Sequence, residues 1–155
     1  MTPWAATFPL PRLTLGVRIA EGRLAELALL PLETEVVRPR GRLAREVVEW
    51  LQRWLDDPFL PVGLPLGGDG SPFQRRVWSA LREIPPGRVL TYGELARDLG
   101  SSPRAVGGAC RTNPLPIVVP CHRVVSASGI GGYAGAVAGP RVAFKQWLLE
   151  REGCL

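Results

Sequence analysis

Hydrophobic and polar positions alternate from Leu13 to Ala20, pause at Glu21-Gly22, and continue from Leu24 to Leu30, a pattern that predicts two strands joined by a tight turn. From Gly41 to Leu55 the period changes. Leu43, Val47, Val48, Leu51 and Leu55 recur at helical spacing with Arg and Glu between them, so this helix should lay its apolar stripe on the sheet. Asp56-Asp57-Pro58 and the Pro/Gly-rich stretch from Pro61 to Gly70 break the pattern and supply the expected domain boundary.

The remainder reads as short helices. Ser71-Pro72 is a helix start, a hydroxyl cap before a proline in the first turn, and Phe73, Val77, Trp78 and Leu81 form the stripe that follows. Pro85-Pro86-Gly87 ends it. After an extended Arg88 to Tyr92 come two brief helical segments, Gly93 to Leu99 and Pro103 to Arg111, joined by Gly100-Ser101-Ser102, the pattern of a helix-turn-helix. An apolar run, Ile117 to Val119, leads into Pro120-Cys121, and a glycine-rich loop spans Ser128 to Gly135. A last helix runs from about Pro140 to Arg151, with Val142, Phe144, Trp147 and Leu148 on one side and Gly153 as its stop. The expected fold class is therefore α+β: a small N-terminal sheet-plus-helix domain, 1–68, then a mainly helical domain, 69–155, with a helix-turn-helix.

Charge sharpens the division. Residues 1–68 carry eight Arg against eight acids, whereas residues 69–155 carry the whole formal net charge of +5. An excess of that size suits a polyanion-binding domain and is also common on ordinary surfaces, so it narrows the partner without naming it. The three cysteines, Cys110, Cys121 and Cys154, form no close pair, and no apolar run approaches membrane-spanning length. A reducing cytoplasm and no membrane are expected.

One pentapeptide concentrates the chemistry. Pro120-Cys121-His122-Arg123-Val124 places a thiol beside the single histidine of the chain. A thiolate is the useful nucleophile, and a free cysteine is mostly protonated at neutral pH, so Cys121 needs a base. His122 is the one imidazole present. A buried cysteine beside a satisfied histidine is the plainer reading of the pair alone.

The surrounding residues extend the motif. Arg104-Ala-Val-Gly107-Gly108 and Asn113-Pro114 precede it, together with Phe73-Gln-Arg-Arg-Val-Trp78 and Thr91-Tyr92-Gly-Glu-Leu-Ala96; Gly132-Tyr133-Ala-Gly135 and Lys145-Gln-Trp-Leu-Leu-Glu-Arg-Glu152-Gly follow. In this order, from about Ser71 to Gly153, they resemble the O6-alkylguanine-DNA alkyltransferases, the methylated-DNA–protein-cysteine methyltransferases. The resemblance implies a DNA repair protein that rotates O6-alkylguanine out of duplex DNA and transfers the alkyl group irreversibly to Cys121, with O4-alkylthymine a second candidate substrate. No second residue is placed to cleave the resulting thioether, so one turnover consumes the protein.

By the same resemblance, His122 takes the thiol proton through a water, Glu152 orients it, and the Tyr92 phenol donates to the departing O6. Arg104 fills the gap left by the rotated base, from a helix lying in the minor groove, where little sequence information is carried. Gln74, Gly93, Ser102, Pro103, Ala105, Arg111 and Ala127 complete the implied DNA-binding set with Tyr92 and Arg104. Asn113 is the implied hinge, and Pro116, Val124, Tyr133, Ala134, Gly135 and Lys145 the implied pocket. Ala134 stands where some relatives carry Ser, which leaves a main-chain donor in place of a hydroxyl. For Lys145 a surface lysine whose stem covers apolar neighbours is a fair alternative.

No cofactor and no metal are expected. Some relatives bind zinc in the N-terminal part, and here residues 1–109 hold neither Cys nor His. The implied partner is double-stranded alkylated DNA, bound with little sequence preference by a monomer. Two other classes stay open: a damage-binding protein that flips the base without repair, against which Cys121 argues, and a thiol hydrolase, for which no oxyanion hole is marked.

Overall fold

The computed structural model describes residues 2–155, which divide into two compact units with the boundary between Asp69 and Gly70. The first unit contains an antiparallel sheet of three strands in the order β1 (Ala6–Pro9), β2 (Thr14–Ala20) and β3 (Arg23–Leu30). The β2–β3 hairpin forms at Glu21-Gly22 with Thr14 opposite Leu30 and an irregularity between Arg18 and Ile19. The sequence pattern does not predict strand β1: four residues ending in Pro9 are too short to show alternation, and pairing with β2, Ala6 opposite Val17, defines it.

Helix α1 (Arg42–Asp56) covers this sheet. Ala44, Val47, Leu51 and Trp54 are buried on its inner face, and Leu15, Val17, Leu24 and Leu27 are the buried residues of β2 and β3. Polar groups caught here are matched. Thr7 Oγ1 donates to the Glu35 carbonyl at 3.1 Å and accepts from the Val37 amide at 2.7 Å, and Trp50 Nε1 donates to the Pro61 carbonyl at 2.9 Å.

In the second unit α2 (Pro72–Arg82) begins with a reciprocal cap, in which Ser71 and Gln74 each bond the other's main chain. Its Trp78 is buried, and Nε1 donates to the Ala109 carbonyl at 2.9 Å. Helix α3 (Tyr92–Leu99) is capped in the same way by Thr91 and Glu94, and α4 (Pro103–Arg111) by Ser102. Gly100 ends α3 at φ +64°, a left-handed conformation that turns the chain at once toward α4. A short parallel pair, β4 (Leu90–Thr91) with β5 (Val124–Val125), sets the segment after Cys121 beside the start of α3.

Helix α5 (Pro140–Arg151) closes the unit. Past its end, Gly153 at φ +79° donates to the Glu150 carbonyl and Cys154 to that of Leu149, so both hydrogen bonds of a Schellman termination are made. This termination fixes Glu152. Among the described residues no helix is long and apolar enough to cross a membrane.

Candidate active site

The segment from Asn113 to Arg123 owes its shape to one side chain. Asn113 Nδ2 donates to the Val119 carbonyl at 2.8 Å and Oδ1 accepts from the Leu115 amide at 2.9 Å, so the amide fastens both ends of the buried loop between them. Ile117 within it has φ +77°, uncommon for a β-branched residue and maintained by this bracing. The apolar run 117–119 thus forms a buried turn, and Cys121–Arg123 follow as a single 3-10 turn. Cys121, His122 and Arg123 are all buried.

The charges behind the thiol form a closed network. His122 Nε2 lies 2.9 Å from Glu152 Oε2, while Arg123 Nε donates to Glu152 Oε1 at 2.8 Å and Nη2 to Oε2 at 3.0 Å. Arg123 Nη1 donates to the Ile84 carbonyl at 2.7 Å. Burial pushes the Glu152 carboxyl up, but hydrogen bonds and charge from His122 and Arg123 outweigh it and bring it down to about 2. The carboxylate is therefore an acceptor, and His122 Nε2 carries the proton toward it. His122 Nδ1 is buried and meets no hydrogen-bonding group of the protein.

Burial lowers the basicity of His122, partly opposed by Glu152 and reinforced by Arg123 and Lys145, so the ring is neutral at neutral pH. The Cys121 thiol is raised by burial, with Asn113, the Lys145 charge and Tyr133 opposing. A protonated thiol and a neutral imidazole thus follow one another in a single buried turn. Tyr133 Oη lies near the thiol but has no hydrogen bond of good geometry, and burial first and Cys121 second push it well above the ordinary phenol range. Burial and the two thiols likewise raise Tyr92 to about 12, which keeps it a donor.

Lys145 lies inside the fold, with none of its surface exposed. Nζ donates to the Val124 carbonyl at 2.7 Å and the Gly132 carbonyl at 3.1 Å, and stands 5.9 Å from the centre of the Tyr92 ring. The surface reading of this lysine is wrong, because two main-chain carbonyls turned inward require its ammonium. Burial lowers it to about 8.

In front of Cys121 opens a cavity of about 440 Å³. Of the expected site residues, Tyr92, Arg104, Arg111, Cys121, Tyr133, Ala134 and Gly135 line it. Gly107 and Gly108 of α4 line it too, and a Cβ at either would meet nothing within 4 Å, so these glycines are not packing contacts. Ala134 takes φ +51° within a turn closed by Tyr133 and Ala136, and Arg141 Nη1 donates to its carbonyl at 2.9 Å.

The other expected residues stand elsewhere. His122, Glu152, Asn113, Pro116, Val124 and Lys145 do not line the cavity, and all but the half-buried Asn113 are buried. Gln74 caps α2 and donates to Thr112 Oγ1 at 2.9 Å, Ser102 caps α4, and Gly93, Pro103 and Ala105 lie in the first turns of α3 and α4. Ala127 lies exposed in the turn bridged by Ser126 and Gly129 and does not line the cavity.

Two contributors escape the sequence. Cys110, raised by burial to about 12, lines the same cavity as Cys121. Arg123 carries the contacts to Glu152, and its one signal is a permanent charge inside the apolar run from Ile117 to Val125. No three His, Cys, Asp or Glu side chains converge as a metal site among the described residues.

Fold and cavity together define an α+β protein with a buried cysteine, followed in the chain by a buried histidine, at a pocket that a glycine-bearing helix helps to line. A family model described as 6-O-methylguanine DNA methyltransferase, DNA binding domain, matches residues 72–154, and the chain belongs to that family. It is 52% identical over 95 residues to a methylated-DNA–protein-cysteine methyltransferase of Shigella flexneri, covering 59% of this chain and 53% of that protein. A Methanosarcina acetivorans protein of the same name is 40% identical over 112 residues, covering 70% of this chain and 69% of its own length. Thus the chain spans about half the length of several curated relatives it matches. The crystal structure of Mycobacterium tuberculosis OGT in complex with DNA superposes with a TM-score of 0.79 at 33% identity, covering 96% of this chain and 92% of that one. The α+β class expected from the sequence, a small antiparallel sheet together with helices, is the observed one.

Proposed function

We propose that this chain is a DNA repair alkyltransferase that takes the alkyl group from O6-alkylguanine onto Cys121 and is consumed in doing so. One observation carries the reading: a single cavity holds the Cys121 thiol and is rimmed by Arg104, Gly107 and Gly108 of one helix face. A base held in a duplex cannot reach a buried thiol, so the nucleotide rotates into the cavity while that helix lies against the DNA. In this reading α3 and α4 act as a helix-turn-helix, with α4 in the minor groove and Arg104 entering the stack. Open space over Gly107 and Gly108 supports a close approach of the DNA backbone.

The chemistry is a displacement at the alkyl carbon. The Cys121 Sγ–carbon bond forms as the carbon–O6 bond breaks, leaving an S-alkyl cysteine and guanine. The thiol proton passes to His122 Nδ1 through a water, and the departing base regains a proton. Tyr92, raised to about 12, supplies a phenolic donor on the cavity wall. Nothing in this scheme regenerates the thiol.

The test is intact mass after incubation with a duplex containing O6-methylguanine, followed by peptide mapping. A gain of one methyl group on Cys121 that stops at one equivalent is expected. Tight binding with no gain in mass would replace this reading with a damage-binding one, and repeated turnover would exclude the suicidal mechanism.

A further inference from the structure

Arg123 is the one residue of the Cys121–Arg123 turn for which the alkyl transfer proposed above has no use. Its guanidinium is permanently charged and buried, and it donates to Glu152 Oε1 at 2.8 Å, to Glu152 Oε2 at 3.0 Å and to the Ile84 carbonyl at 2.7 Å. Glu152 Oε2 also faces His122 Nε2 at 2.9 Å, so one carboxylate oxygen receives both a guanidinium and an imidazole.

The tautomer follows from the acceptor. An ionised carboxylate only accepts, so Nε2 carries the proton and the buried Nδ1 carries the lone pair. The charge state follows from the sum. With His122 neutral, Arg123 and Glu152 cancel, and the buried group has no net charge. A further proton on the ring would leave an uncompensated cation there, with Lys145 as a second positive charge nearby. Were Arg123 absent, the same proton would instead neutralise the buried carboxylate. Removal of the arginine therefore makes His122 easier to protonate, and a protonated imidazole cannot accept the thiol proton.

We propose that Arg123 is a positioning residue for alkyl transfer, fixing Glu152 as an anion and keeping His122 neutral with Nδ1 free to accept. The inference rests on the alkyl-transfer reading. Its groups lie on separate elements: Arg123 adjoins His122 in the turn, while Glu152 and Lys145 come from the end and middle of α5. These three are the charges whose fields reach the imidazole.

His122 is the only histidine in the chain, so its ring can be followed by nitrogen-15 NMR without assignment. Wild type, Arg123→Met and Arg123→Lys are titrated from about pH 8 to about pH 5, the range in which an ordinary imidazole changes charge. The wild-type ring is expected to be neutral, with the proton on Nε2, at about pH 6.5, where an ordinary imidazole is half protonated. Arg123→Met should bind its proton at least about tenfold more tightly, one pH unit, with the acid limb of the Cys121 alkylation rate moving upward to match. Arg123→Lys keeps the charge and should restore the wild-type titration. Equal titrations in wild type and Arg123→Met would overturn the proposal. So would a wild-type ring that is already protonated at about pH 6.5 or carries its proton on Nδ1, a result that stands even if Arg123→Met fails to fold. Wild-type protein that never alkylates Cys121 would instead remove the alkyl-transfer reading, whatever the imidazole does.

Discussion

Lys145 donates to the carbonyl of Val124 at 2.7 Å, tying the middle of α5 to the strand that leaves the Cys121 turn. Its second bond, to Gly132 at 3.1 Å, holds the loop that forms the opposite wall of the cavity. One buried ammonium thus sets the separation of two cavity-bearing segments.

Lys145→Met keeps the stem and removes the donor, stranding two inward carbonyls. The loss expected for unsatisfied buried groups is about 1–3 kcal/mol, read as a lower midpoint in urea unfolding. Alkyl transfer should slow more than duplex binding weakens, because the cavity wall moves while the exposed Arg104 does not. An unchanged midpoint would show that the two carbonyls do not depend on this ammonium.

Gly107→Ala and Gly108→Ala separate packing from recognition. Open space above both positions predicts folded variants stabilised by about 0.5–1 kcal/mol through helix propensity. Binding to duplex DNA should weaken, since the added methyl projects where the backbone would approach. Fluorescence anisotropy beside a thermal melt checks both signs, and unaltered affinity would remove α4 from the interface.

Asn113→Ala cuts the brace across residues 115–119. Two hydrogen bonds are lost and Ile117 no longer has its left-handed conformation enforced. A destabilisation of about 2 kcal/mol is expected, with slower transfer to Cys121 even where the protein remains folded. Urea unfolding and single-turnover rates on the same sample measure the two effects.

Stability should fall on both sides of a broad maximum. Glu152 ionises at about 2 in the fold against an ordinary 4.5, so its contribution is complete above 4.5 and disappears as pH drops toward 2. Lys145 behaves oppositely to a stabilised cation. Lowered from 10.5 to about 8, it is bound by protons more readily in the unfolded chain, so stability rises across that window. Cys110, raised from 9.0 to about 12, loses its proton first in the unfolded chain, so stability falls above 9, and Cys121 and Tyr92 act in the same direction. Melting temperatures should peak near the thiol's ordinary 9.0 and decline less steeply in Cys110→Ala. A decline unaffected by Cys110→Ala would mean that the thiol titrates alike in both states.

Much of the fold is readable along the chain because its signals are local. Leu43 to Leu55 declares α1 by period, Ser71 and Pro72 start α2, and Gly153 stops α5, each through neighbours within a turn or two. The short strands are the exceptions, since Ala6–Pro9 and Val124–Val125 are too short to have a period of their own and exist through pairing with β2 and β4.

The sequence alone determined which chemistry is present: one thiol beside the only imidazole, a glycine-rich helix with Arg104, and the motifs of the family. It could not determine the electrostatics of that chemistry. His122 and Glu152 meet across 30 residues, Arg123 and Ile84 across 39, and Lys145 and Val124 across 21. Whether a charged side chain faces water or a buried carbonyl depends on which segments close over it. That choice belongs to the packed fold, because desolvation and partner distance, which set the state of each ionisable group, have no value until distant segments meet.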